Sequence, residues 1–213
     1  MKKMLFMLAA LLISLGSTAL WAAEGCTINT VHGMPKVLRG DQTLALKAGD
    51  TLKKGDLITT PTEQCMVDMS MNDLAGCRVL SGSKLEVTAW KKENMAVKIV
   101  DGNIILNLKK LPEDAAFKVE TPTAVAVVRG TQFWGRVQDP SIKAVTTFAV
   151  REGSVEITPL GITDGGPITL KPGQALDIAK DSGTFLVRQA LPEEMTAMEQ
   201  ATAISTTPNN NAK

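Results

Sequence analysis

From Val37 onward the chain is a procession of short extended runs, each closed by glycine, proline or an acid-glycine pair. Residues 65–71 show the rule most clearly. Cys65, Val67, Met69 and Met71 fall on one parity, with Asp68 and Ser70 on the other. An apolar period of two belongs to a strand with one buried face, and no helix can bury that pattern. The same grammar recurs through 44–46, 51–52, 57–60, 77–80, 84–90, 95–100, 103–108, 117–119, 125–131, 144–151, 154–158, 168–178 and 184–187. So many short runs with a turn after each predict an all-β fold, a compact β-sandwich or a β-solenoid-like stack.

Local chemistry places the turns. Asp101-Gly102 and Glu152-Gly153 separate alternating runs, and both residues of such a pair tolerate the positive φ of a tight turn, so each reads as a hairpin or corner. Thr121-Pro122-Thr123 is a rigid corner, because proline holds the residue before it extended. Beyond it, both parities from Ala124 to Val128 are small or apolar, so this strand is expected to be central and covered on both faces. The helical exception is 192–201. Pro192 suits a first helical position, and Glu193 and Glu194 suit the positive end of the helix dipole. Residues 204–213, with Asn209-Asn210-Asn211, read as a disordered tail.

The start of the chain sets the compartment. Lys2 and Lys3 precede an apolar run too short to span a bilayer with ease, then small residues, which is the form of a secretory signal over 1–23 cleaved after Ala22 or Ala23. An uncleaved anchor and lipid attachment at Cys26 are the rival readings. Residues 24–36 are expected to be an N-terminal extension, 37–190 the β domain and 191–203 the short helix. The mature chain would lie in the periplasm of a Gram-negative bacterium, with no transmembrane span.

The net charge of +1 includes Lys2 and Lys3, so the basic surface that nucleic-acid backbones require is missing. In an oxidising compartment Cys65 and Cys77 are the natural disulfide pair, twelve residues apart in adjacent runs; two buried, reduced thiols are the alternative. Cys26 is left to be free or to pair with another chain.

The ordered set Gly49-Asp50, Gly55-Asp56 with Ile58-Thr59-Thr60, the run from Phe117 through Thr121-Pro122-Thr123-Ala124, then Val128-Arg129-Gly130-Thr131-Gln132-Phe133 and Leu170-Lys171-Pro172-Gly173-Gln174 resembles a FecR-type domain. That periplasmic module occurs in iron-dicitrate sigma-factor regulators and in many secreted bacterial proteins. The resemblance spans roughly 37–178 and implies Thr121, Pro122, Arg129, Gly130, Thr131 and Phe133 as its structural motif. The cytoplasmic helical segment and membrane span of a sigma regulator have no counterpart here, so transmembrane signalling does not transfer with the fold.

Catalytic chemistry finds no footing in the sequence. His32 is the single histidine, so no multi-histidine site forms within one chain and zinc lacks ligands. The aspartates sit beside glycine or at run ends, where they bond their own backbone. No serine stands in a nucleophile elbow. Arg129 is expected half-buried at the end of its strand, paired with a carboxylate or backbone carbonyls, with Thr131 bonding backbone at the turn. Trp90 and Trp134 are the candidate binding surface if either is exposed. The expectation is a non-enzymatic protein without cofactor or metal: a protein-binding scaffold or regulatory adaptor for another envelope protein, or a module binding cell-wall glycan.

Overall fold

The computed structural model describes residues 25–138, 143–161, 166–180 and 185–208. The leader expected at 1–23 and residues 209–213 of the tail lie outside the described residues. The strands are β1 (Cys26–His32), β2 (Lys36–Arg39), β3 (Gln42–Ala45), β4 (Thr51–Leu52), β5 (Leu57–Thr60), β6 (Met66–Met71), β7 (Ala75–Val79), β8 (Ser83–Lys91) and β9 (Asn94–Leu108). They continue as β10 (Ala116–Glu120), β11 (Ala124–Val128), β12 (Gln132–Gln138), β13 (Val145–Glu152), β14 (Val155–Pro159), β15 (Ile168–Leu170), β16 (Gln174–Ala179) and β17 (Phe185–Gln189). A helix α1 (Pro192–Glu199) and a 3-10 turn (Gln200–Ala203) follow.

The strands form two layers. Sheet I runs β4-β1-β6-β7-β9-β12-β13-β16-β17, antiparallel throughout. Sheet II runs β3-β2-β5-β8-β9-β10-β11-β14-β15, antiparallel except for the parallel β9–β10 pair. After β9 the chain lays down hairpins that alternate between layers: β10–β11 in sheet II, β12–β13 in sheet I, β14–β15 in sheet II, β16–β17 in sheet I. This is a sandwich wound in the manner of a solenoid. Neither sheet closes into a barrel.

The core between the layers holds Val, Ile, Leu and Met from both inner faces around Phe117, Phe133 and Phe148, all fully buried. The rings of Phe133 and Phe148 lie 5.3 Å apart, tilted by 32°, and Gly135 leaves them room. Such a pair adds about 0.5–1.5 kcal/mol beyond its buried area.

Asp101-Gly102 does not make the expected hairpin. β9 is one bent strand of 15 residues whose first part pairs with β8 and β10 and whose last part pairs with β7 and β12. Gly102 (φ +82°) is where it passes from one layer to the other, and a Cβ there would come within 2.6 Å of Ser83 Cα. A bend and a reversal make the same demand for positive φ, so the sequence cannot separate them. Glu152-Gly153 is a corner between layers. A Cβ on Gly153 (φ +79°) would fall on the Gly130 carbonyl and within 3.2 Å of Thr131 Cα, so successive corners nest on one another.

The segment 24–36 is more than an extension. β1 pairs with β6 and β4 and buries Cys26 and Ile28 in the core. At the other end, Ile204 and Thr206 are buried, so residues 204–208 belong to the folded body.

The cysteines correct a further expectation: Cys26, Cys65 and Cys77 are all free and buried, and no disulfide is present. Register explains why Cys65 and Cys77 cannot meet. Met69 is opposite Cys77, which places Cys65 four residues further along, about 13 Å at the rise of a strand. A bridge needs Cα atoms about 4.4–6.8 Å apart. Cys26, on β1, is separated from Cys77, on β7, by β6, and its Sγ donates to Met69 Sδ at 3.5 Å. Burial, aided by Asp56, pushes the Cys26 thiol far above its ordinary value; burial, aided by Cys26 and Asp68, raises that of Cys77. Both are protonated packing groups.

Candidate interaction surface

Several residues of the expected structural motif sit at the corners of the strands and in the core. Thr121 is the pin of the β10–β11 hairpin: its Oγ1 accepts from the Thr123 and Ala124 N–H groups at 3.3 and 3.0 Å. Thr146 Oγ1, on β13 of the opposite layer, donates to Thr121 Oγ1 at 3.2 Å and accepts from Thr123 Oγ1 at 2.6 Å. This buried hydroxyl triad ties the two layers together, and Pro122 stiffens the hairpin between its members. Gly130 turns the corner with φ +65°, and Phe133 enters the core.

Arg129 behaves differently from expectation. It is exposed and lines a shallow depression with Lys118 and Glu156, because β11 is central but covered on its inner face alone. Val125 and Val127 stay half-buried on the outside. Thr131 Oγ1 is buried without a hydrogen-bond partner; its carbonyl instead accepts from Leu108 N–H at 2.9 Å.

Trp134 stands on the outer face of sheet I in a cross-strand row with Ile105, Ala149 and Ala175. The C-terminal segment lies over this row as a strap, and Met198, Ala201 and Ile204 complete a second apolar cluster that leaves Trp134 7% exposed. The two alanines give the helix room to approach. A Cβ on Gly76 would lie 2.7 Å from the Ser205 carbonyl. Asn107 Nδ2 donates to Ile204 O at 3.2 Å, Asn29 Nδ2 to Ser205 O and Thr207 O at 3.2 Å each, and Arg151 Nη1 to Met198 O at 3.4 Å.

At the start of α1, Arg188 bridges Glu194 (2.6 and 2.9 Å) and Asp177 (2.6 and 3.2 Å), and the Glu194 carboxylate also accepts from Leu191 N–H at 2.7 Å. The bonds to Glu194 and then Asp177 raise the guanidinium pKa against burial.

The strap leaves part of the face open. A groove of about 640 Å³ remains, floored by Asn103, Arg136, Thr147 and Asp177 in one lateral row. That row ends at Leu186 on β17. Among the described residues β17 pairs with β16 alone and is the outer edge of sheet I. Phe185, Leu186 and Val187 are 42%, 60% and 41% exposed, three consecutive large apolar residues on a bare strand.

The ladder fixes which backbone groups face outward. Lys180 N–H donates to Ala144 O at 2.8 Å, toward β13, so the odd-numbered residues of β16 serve β17, opposite Leu186 and Arg188. Ala190 N–H donating to Gly173 O at 2.8 Å agrees with that phase. Phe185, Val187 and Gln189 therefore turn their N–H and C=O groups to the free edge, where Gln189 O accepts from Arg188 Nη1 at 3.1 Å.

The other edges are better protected. β4 and β15 are two and three residues long, and β3 begins with the polar pair Gln42-Thr43. Short and polar edges are the usual defence against unwanted pairing, whereas in β17 three consecutive large apolar residues precede the polar pair Arg188-Gln189. The sequence revealed a strand here, but its edge position depends on pairings far along the chain.

Among the described residues no group of three or more His, Cys, Asp and Glu is placed to hold a metal, and no helix is long and apolar enough to cross a membrane. Residues 56–156 match the family model described as FecR protein, and the chain carries a FecR-type domain. Two crystal structures of a candidate anti-sigma factor from Parabacteroides distasonis, at 1.65 and 2.50 Å resolution, superpose with a TM-score of 0.56 at 19% identity. The match covers 68% of this chain and 64% of that one, so this chain spans under two thirds of its length. At that identity the likeness is one of fold. No curated protein matches.

Proposed function

We propose that this chain is an exported, non-catalytic envelope protein that acts as a protein-binding scaffold or regulatory adaptor, and that it holds its partner by strand addition at β17. The observation that carries this reading is the bare edge of β17, where the outward backbone groups of Phe185, Val187 and Gln189 lie beside the exposed side chains of Phe185, Leu186 and Val187. An added strand would satisfy the backbone groups and cover the side chains together. The FecR-type domain and the resemblance to a candidate anti-sigma factor support protein binding in the periplasm, and the partner is another envelope protein. The cell-wall glycan expected as an alternative partner loses its shelf at Trp134, which the strap covers.

The test uses proline as a probe of backbone direction. Val187→Pro removes an N–H that faces solvent, whereas Leu186→Pro removes one that faces β16. Mature protein is used to pull down from envelope extract, with and without the glycan fraction. One stoichiometric protein is expected with the wild type, absent with Val187→Pro, while the urea midpoint of that variant stays within the equivalent of about 1 kcal/mol and Leu186→Pro loses about 3 kcal/mol. Recovery unchanged in Val187→Pro, or recovery with glycan alone, would overturn the reading.

A further inference from the structure

The β8–β9 hairpin carries a second surface, independent of β17. Val87 pairs with Val97 and Ala89 with Ala96, so Thr88 is an extra residue, a β-bulge in β8. A bulge shifts the parity of every later side chain. Without it Ala89 would follow Leu85 and Val87 into the core and Trp90 would stand outside. With it Trp90 lies opposite the fully buried Met95 and packs against the edge of the core while remaining half-exposed. Asn72, at the neighbouring β6–β7 turn, fixes the strand there by donating from Nδ2 to the Trp90 carbonyl.

Half-exposed Trp90 lines a pocket of about 250 Å³ together with Thr88, Ala89, Asn94 and two exposed lysines, Lys54 from the β4–β5 turn and Lys91 from the end of β8. The charged side chains of its lining are these two lysines. The acids nearest in sequence lie outside the lining: Glu93 lines a separate depression with Lys92 and Asp114, and the Asp56 carboxylate is held by Arg39 and by Lys53 N–H. Neither Lys54 nor Lys91 makes a salt bridge among the described residues. The Thr88 hydroxyl is buried without a hydrogen-bond partner, so the bulge is maintained at the cost of one unsatisfied polar atom.

We infer that this pocket binds one anionic sugar residue, with the pyranose face on Trp90 and its carboxylate between Lys54 and Lys91. An aromatic ring with an apolar face and a polar surround suits the mixed surface of a sugar. Two unpaired ammonium groups give directed charge-assisted bonds to a carboxylate. The volume lies just under the roughly 300 Å³ at which sites for drug-sized ligands begin, so it suits a single residue of a chain.

The test is titration of the mature protein with trigalacturonate, followed by tryptophan fluorescence, with maltotriose as the neutral sugar and a glutamate oligopeptide as the non-sugar anion. Saturable change is expected with trigalacturonate alone. It should persist in Trp134→Phe, vanish from the emission of Trp90→Phe, and weaken about tenfold in Lys54→Gln/Lys91→Gln, a change of about 1.4 kcal/mol. Because Trp90→Phe keeps a ring against the core and both lysines are exposed, these variants are expected to fold, which unchanged circular dichroism would verify. No saturation with trigalacturonate, or equal binding of the glutamate oligopeptide, would overturn the inference. Either result would leave the β17 reading untouched, since pull-down with Val187→Pro tests that separately.

Discussion

The outer faces of the two sheets are built from the same alternating pattern and end in different states. On sheet II the outward positions of β10, β11 and β14 are Lys118, Glu120, Val125, Val127, Glu156 and Thr158, half-buried or exposed, and no element among the described residues lies over them. On sheet I the outward row is Ile105, Trp134, Ala149 and Ala175, and the strap covers it. A sheet face with scattered valines among charges can meet water; one with a tryptophan and an isoleucine in a row needs a lid. Trp134, weighed from the sequence as a binding surface, is what fastens the strap.

The largest expected effect separates the two faces directly. Trp134→Ala should cost about 3–5 kcal/mol in urea unfolding, as large-to-small changes in a core do. Val127→Ala, on the uncovered face, should cost less than about 1 kcal/mol. Equal costs would mean that the strap is not packed as described. A smaller effect tests the strap's path. Gly76→Val would drive a side chain into the Ser205 carbonyl and should lower stability by about 2 kcal/mol, with faster amide exchange confined to 192–208. Exchange that rises evenly across both sheets would contradict a separately seated strap.

The smallest effect belongs to the far end of sheet II, where Arg39 holds Asp56 at 2.6 and 2.8 Å and Lys53 N–H donates to the same carboxylate at 2.7 Å. Burial raises the carboxyl pKa, but the Arg39 and Lys53 bonds and charges outweigh it and hold Asp56 below its ordinary value. The contribution is thus fully present above the unfolded value of about 3.9 and is lost as pH falls through the folded one. Asp56→Asn should cost about 1–2 kcal/mol at neutral pH, since Arg39 is a third exposed, and should flatten the acid limb of the stability curve. An acid limb unchanged by the substitution would place the pH sensitivity elsewhere.

Local patterns were readable in the sequence where local chemistry decides. The alternation of 65–71 became β6, but both of its faces are buried: Asp68 pairs with Arg78 and Ser70 donates to Asn29 on the side expected to meet water. The Lys-x-Gly-Asp turns at 47–50 and 53–56 do bond their own backbone through Asp50 and Asp56, and Lys171-Pro172-Gly173-Gln174 repeats the device with Gln174 Oε1. Register was not readable. Whether Cys65 faces Cys77 depends on a pairing offset that no single strand encodes, and Arg129 lies outside because β11 has a cover on one side only. β1 was missed because a bulge between Ile28 and Thr30 breaks its alternation. For β17, strand character was local information, while its bare edge follows from the order of nine strands.

β9 has a mechanical meaning. A peptide segment that belongs to both layers acts as a weld, so peeling one sheet from the other would require tearing ladders in each at once. Load taken at β17 can pass through the strands of sheet I into β9 and from there into sheet II, which makes the whole sandwich the anchor for whatever is held at its edge.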